Sequence, residues 1–197
     1  MTLGAAIQNA IIIALPAVIY AVTVKWRRRL PLSEVVSRLG LSRGKLRPLL
    51  IALAACVPAS IVGVVASSWT KGFQGSMLAP FIDAPPTLAV VMTVINYGLI
   101  ATGFPEELLF RGLIAGALFR RFSFWKANFI QASIFLLPHM LILIVAPQLW
   151  ALAILLPLAL GLFAGWLRHS SGSIAPGVLV HAVSNMAGAI AVLNWRG

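Results

Sequence analysis

The sequence predicts an all-α fold, a polytopic bundle of six transmembrane helices with a polar cavity in the inner to middle part of the bilayer, and three observations predict it. The first is apolarity: 60% of the 197 residues are hydrophobic and the mean hydropathy is +0.98, against about 45–50% apolar usage in soluble domains. The second is distribution, because the apolar residues fall in runs of about 20, enough to cross the hydrocarbon as a helix. The third is charge: 15 Lys and Arg stand against 4 Asp and Glu, and the basic residues sit in short clusters between the runs, as the positive-inside rule expects. A charge of +11 gathered on one soluble face would point to nucleic acid. Divided among loops, it points to the lipid bilayer and to no nucleic-acid partner.

The spans read at about 4–24, 49–69, 87–119, 127–146, 149–167 and 174–194. They form a single membrane domain over 1–197, with two spans and a basic loop in 1–86 and a core in 87–194. The first run follows no basic residue and precedes Lys25-Trp26-Arg27-Arg28-Arg29, so it reads as an uncleaved span rather than a secretion signal. Segment 31–39 mixes Leu and Val with polar residues and predicts an interfacial amphipathic helix, with a solvated loop as the plain alternative. The second run carries the single cysteine, Cys56, which excludes an intrachain disulfide and a cysteine zinc cluster and reads as a small buried hydrophobe. Residues 70–86, with Gly72, Gly75, Pro80, Pro85 and Pro86, read as an irregular outer connection.

The third run is longer than one perpendicular helix needs, and Gly103-Phe104-Pro105 interrupts it. Pro105 suits the first turn of a helix, where no intrahelical N–H bond is lost. The run is either one tilted, kinked span or two pieces, which would raise the total to seven; six keeps the charge asymmetry. With 25–48 in the cytoplasm, Lys25, Arg27, Arg28, Arg29, Arg38, Arg43, Lys45, Arg47, Arg120, Arg121, Lys126 and Arg168 lie inside, and Lys71, Arg196 and both termini lie outside. The form fits a prokaryotic plasma membrane.

Glu106, Glu107 and Arg111 lie within an apolar run, where a charge at the bilayer centre costs about 2.5–3.5 kcal/mol on insertion scales. Arg111 follows Glu107 by one turn on the same face, so the two can pair. Glu106 points about 100° away and is left over for chemistry. The plain alternative is an ion-pair network that locks helices together. His139 follows Phe135 by four residues in the fourth run, and Pro138 can loosen the helix there. His181 and Asn185 share a face of the last run; alone, each histidine reads as structural and the His181/Asn185 pair as interhelical hydrogen-bonding glue. Counted from the inner ends at about 1.5 Å per residue, Glu106, His139 and His181 reach roughly 20, 18 and 10 Å deep, compatible with one cavity. His169, beside Arg168, falls in a short inner loop and reads as solvated.

A carboxylate beside a histidine, with donors opposite, suits attack of water on an amide: glutamate takes the proton and histidine shares it or orients the nucleophile. His181 and Asn185 have the chemistry to hold the oxyanion, worth about 3–4 kcal/mol per donor. Two glutamates and two histidines are also a conceivable zinc set, but no His-Glu-x-x-His helix occurs and Arg111 would repel a cation. The expectation is no metal and no cofactor.

Glu106-Glu107-Leu108-Leu109-Phe110-Arg111-Gly112, Phe135 to His139, and His181 to Asn185 resemble the three ordered motifs of the CPBP family, the CAAX proteases and bacteriocin-processing enzymes also called the ABI family. The resemblance spans roughly 87–190. It implies a glutamate-dependent intramembrane endopeptidase, with Glu106 as general base, His139 assisting, and His181 and Asn185 as the oxyanion site. Pro138 directly before the histidine departs from what the family leads one to expect. The substrate would be a small peptide or a membrane protein. The competing classes are a non-catalytic adaptor or immunity protein that uses the cavity for binding, and a small transporter, for which internal repeats are missing.

Overall fold

The computed structural model describes residues 2–70 and 77–194. All regular structure among these is helical: α1 (Leu3–Trp26), α2 (Leu32–Arg38), α3 (Leu46–Thr70), α4 (Leu88–Phe119), α5 (Phe124–His139), α6 (Ile142–Val145), α7 (Trp150–Ser171) and α8 (Ala175–Ala191). Four segments are long and apolar enough to cross a membrane: α1, α3, α4, and Pro147–Ser171, which contains α7. Helix α8 is apolar but has 17 residues, and α5 has 16.

Helices α1 and α3 are apolar on every side, and Ile11, Ile12, Leu15, Ile19, Leu50, Val57 and Ile61 lie exposed, as lipid-facing residues do. On its inner side α3 packs along α8. The two backbones meet at Gly63 and Gly188, where a Cβ on Gly188 would lie 3.0 Å from the Gly63 carbonyl oxygen. Without water to drive association, such small residues let helices approach closely enough for dispersion to hold them.

The long third run is one helix, and Pro105 lies in its middle rather than in a first turn. Two π-helical stretches, Asn96–Gly103 and Leu108–Ala115, flank it, and the Phe104 N–H bonds the Leu99 carbonyl five residues back. The wider turn makes room for a proline that neither donates nor tolerates a close carbonyl. Neighbouring side chains satisfy nearby backbone carbonyls: Thr102 Oγ1 donates to Tyr97 O at 2.9 Å, and Asn9 Nδ2 to Ala101 O at 2.8 Å.

The predicted 127–146 span is corrected. Helix α5 starts three residues earlier and stops at His139, with Pro138 in its last turn, and the remaining apolar residues form the short α6. Buried Asn128 and Gln131 bind α5 to α7, donating to the Leu162 carbonyl at 3.0 Å and the Gly161 carbonyl at 2.7 Å. Gly165 admits that pair, since a Cβ there would overlap the Asn128 amide oxygen.

At the basic end, segment 31–39 does form a helix, α2, whose Val35 is buried; Leu39, just past it, packs with Ala17, Leu108 and Ile174. Arg168 and His169 belong to the last turn of α7, not to a loop. Arg168 is buried and donates to the Ser37 and Arg38 carbonyls at 3.3 and 3.2 Å, closing the C-terminus of α2. Gly40, at φ +66, carries the chain under that guanidinium, where a side chain would collide. His169 is exposed and lies against the Phe119 and Phe124 rings. Of the outer connection, Pro80 sits in a 3-10 turn at Ala79–Phe81. Lys71, Gly72, Gly75 and Arg196 lie outside the described residues.

Candidate active site

Helix α4 carries the glutamate pair to the side of α8, and the π turns set how the two side chains diverge. Glu107 and Arg111, one turn apart and both fully buried, pair at 2.8 Å. The guanidinium also lies over the Phe135 ring at 4.1 Å, but none of its nitrogens makes a well-directed hydrogen bond. Charge and the ring face hold it. Glu107 has a second task beyond the predicted ion pair, since the same Oε1 lies 3.1 Å from His181 Nδ1. A carboxylate accepts, so Nδ1 carries the proton and Nε2 faces the other way. There Glu106 Oε2 lies 3.9 Å off, outside hydrogen-bond range, with 18% of its side chain exposed. Glu106 accepts no hydrogen bond from the described residues.

Phe135 occupies the centre. Its ring touches Arg111 on its face, lies 4.7 Å from the His139 ring and 5.9 Å from the His181 ring at 90°, and meets Phe110 edge-on at 4.9 Å. It stands between the two imidazoles and covers one face of the guanidinium. His139 Nδ1 donates to the Phe135 carbonyl at 2.9 Å, one turn back on the same helix. In the neutral ring this leaves Nε2 as an acceptor.

Asn185 stands one turn past His181 on α8, and its Nδ2 donates to Thr102 Oγ1 at 2.9 Å. Thr102 is therefore a site residue that motif reading missed. The signal available was a hydroxyl four residues before Glu106 in an apolar run. Gly177 makes room for Glu107, because a Cβ there would come within 2.7 Å of Glu107 Oε2.

A cavity of about 550 Å³ opens beside these groups. His139, His181, Asn185 and Tyr97 lie on its wall together with apolar residues of α3 and α7 such as Ala59 and Leu160; Glu106 is not part of that wall. Six of the seven residues singled out by motif, Glu106, Glu107, Arg111, Phe135, His139 and His181, thus form one cluster, and Asn185 borders it along the cavity. Among the described residues no three His, Cys, Asp or Glu side chains group as a metal ion would need. Cys56, half-buried on α3, turns its thiol back onto the Ala52 carbonyl at 3.2 Å.

A family model described as type II CAAX prenyl endopeptidase Rce1-like matches residues 86–187, just over half of the chain. Comparison with curated proteins and with solved structures finds no match.

Proposed function

From its membership of the Rce1-like family of type II CAAX prenyl endopeptidases, to which this integral membrane protein belongs, we propose that the chain hydrolyses a peptide bond of a membrane-associated or small peptide substrate, without a metal or other cofactor. The observation that carries the reading is the division of labour within the glutamate pair. Glu107 is sealed against Arg111 and His181, whereas Glu106 keeps exposed surface and an uncommitted carboxylate.

In this reading Glu106 takes a proton from water as the water oxygen bonds to the scissile carbonyl carbon, and then returns it to the departing amine as the C–N bond breaks. His139 assists through Nε2, accepting a hydrogen bond from the same water. The carbonyl oxygen, negative in the tetrahedral intermediate, is met by Asn185, whose second amide hydrogen is not used by Thr102, and by His181. Donation from His181 Nε2 while Nδ1–H remains on Glu107 requires the doubly protonated ring, so Glu107 acts as its positioning residue. Helices α5 and α8, of 16 and 17 residues, span about 24–26 Å. They complete six crossings by lying between longer neighbours, with the cavity at the inner to middle depth and the basic end facing a prokaryotic cytoplasm.

The test is cleavage of a quenched fluorogenic library, including lipidated and membrane-spanning peptides, by purified wild type and by Glu106→Gln and His139→Ala. Loss in both variants with survival in chelator supports the mechanism. Abolition by chelator moves the assignment to a metalloprotease. A folded wild type that cleaves nothing would favour a binding role as adaptor or immunity protein.

A further inference from the structure

The four carboxylates of the chain are all placed. Glu34 is held by Arg38 at 2.6 Å, Glu107 by Arg111, and Glu106 stands beside His181. Asp83 lies beyond the far end of α8, where its N–H bonds the Val192 carbonyl. The 15 Lys and Arg therefore draw most of their counter-charge from outside the molecule. Lys45 and Arg47, exposed at the start of α3, pair with no carboxylate among the described residues.

These two cations border a concavity of about 360 Å³, closed by Pro48 and Ile51 of α3 and by Trp166 and Ser170 of α7. Its lips are fixed, because the Lys45 N–H bonds the Ser171 carbonyl at 3.1 Å and Gly44 packs on Ser173. Trp166 is stacked with Phe163 at 6.0 Å and 16°. Cations and a hydroxyl thus lie at the helix ends, and an indole, a proline ring and an aliphatic side chain lie toward the apolar lengths of the same two helices. That graded chemistry matches a phosphate joined to glycerol and the first methylenes of an acyl chain, at the depth where tryptophan prefers to sit.

We propose that this concavity binds the phosphate headgroup of an anionic phospholipid, with Lys45, Arg47 and Ser170 on the phosphate and Trp166, Pro48 and Ile51 on the glycerol and proximal chain. The bound lipid bridges α3 and α7, the two helices that also wall the cavity beside His181.

The experiment titrates tail-labelled phosphatidylglycerol into the purified full chain in neutral detergent and follows fluorescence anisotropy, with phosphatidylcholine and inorganic phosphate as competitors. Each basic residue near an anionic headgroup contributes about fivefold in affinity, so Lys45→Ala/Arg47→Ala should weaken binding on the order of twentyfold. Arg27→Ala/Arg28→Ala, an equal charge loss elsewhere, should change it less than about threefold, and the charge-keeping Lys45→Arg/Arg47→Lys should retain it. Melting curves confirm that each variant is folded. Equal weakening by both double-alanine variants, competition by phosphatidylcholine as strong as by unlabelled phosphatidylglycerol, or displacement by inorganic phosphate at lipid-like concentration would each overturn the proposal, the last by assigning the site to free phosphate.

Discussion

Arg111→Met removes a guanidinium that is fully buried, paired with Glu107 at 2.8 Å and laid over Phe135 at 4.1 Å. With no exposure, the charge interaction needs no discount for solvent screening, and breaking a buried pair by removing one partner costs about 3–5 kcal/mol. The geometry also orders the two single variants. After Arg111→Met, Glu107 still has His181 Nδ1 at 3.1 Å, whereas after Glu107→Gln the guanidinium loses its paired charge and keeps a neutral amide and the Phe135 face, the latter worth about 0.5–2 kcal/mol. Glu107→Gln should therefore cost more. The double variant buries neither charge and should cost no more than the worse single, a coupling of about 3 kcal/mol. Equilibrium unfolding in mixed micelles, read by loss of helical circular dichroism and extrapolated linearly, gives all three values. Additive costs, or single costs under about 1 kcal/mol, would show that the pair does not behave as a desolvated unit and would refute the reasoning.

Glu106→Gln should lower peptide cleavage by about 10²–10⁴-fold, the contribution of a general base, while unfolding shifts by less than about 1 kcal/mol, because no short contact is lost; a stability loss equal to that of Glu107→Gln would instead mark Glu106 as structural. Thr102→Val should cut kcat about tenfold by freeing the Asn185 amide held at 2.9 Å, equivalent to one hydrogen bond of about 1–1.5 kcal/mol, and Thr102→Ser should restore it. Gly177→Ala should cost about 1–3 kcal/mol and reduce cleavage, since its Cβ comes within 2.7 Å of Glu107 Oε2; unchanged melting and activity would mean that Glu107 has room to move. Gly165→Ala should loosen α5 from α7 and lower the melting temperature without touching a site residue, because its Cβ overlaps the Asn128 amide.

What was legible in the residues was whatever composition and periodicity carry. Runs such as 3–26 and 46–69 are apolar for longer than any soluble helix requires, so their existence as spans follows from hydropathy alone. The Glu107–Arg111 pair follows from a four-residue spacing on one helix. Ordered motifs identified His139, His181 and Asn185 as companions of Glu106, because charged and imidazole side chains rarely enter an apolar run without a common purpose. Hydropathy could not say that Pro105 sits in mid-helix, since a π turn is a property of how neighbouring helices and hydroxyls satisfy carbonyls, as Thr102 and Asn9 do. It also could not end α5 at His139, where Pro138 and the polar lock of Asn128 and Gln131 onto α7 outweigh continuing apolarity. Nor does spacing within α4 reveal that Glu107 serves His181 as well as Arg111. That contact joins residues 74 apart in sequence, and only the packing of α8 against α4 brings them within 3.1 Å.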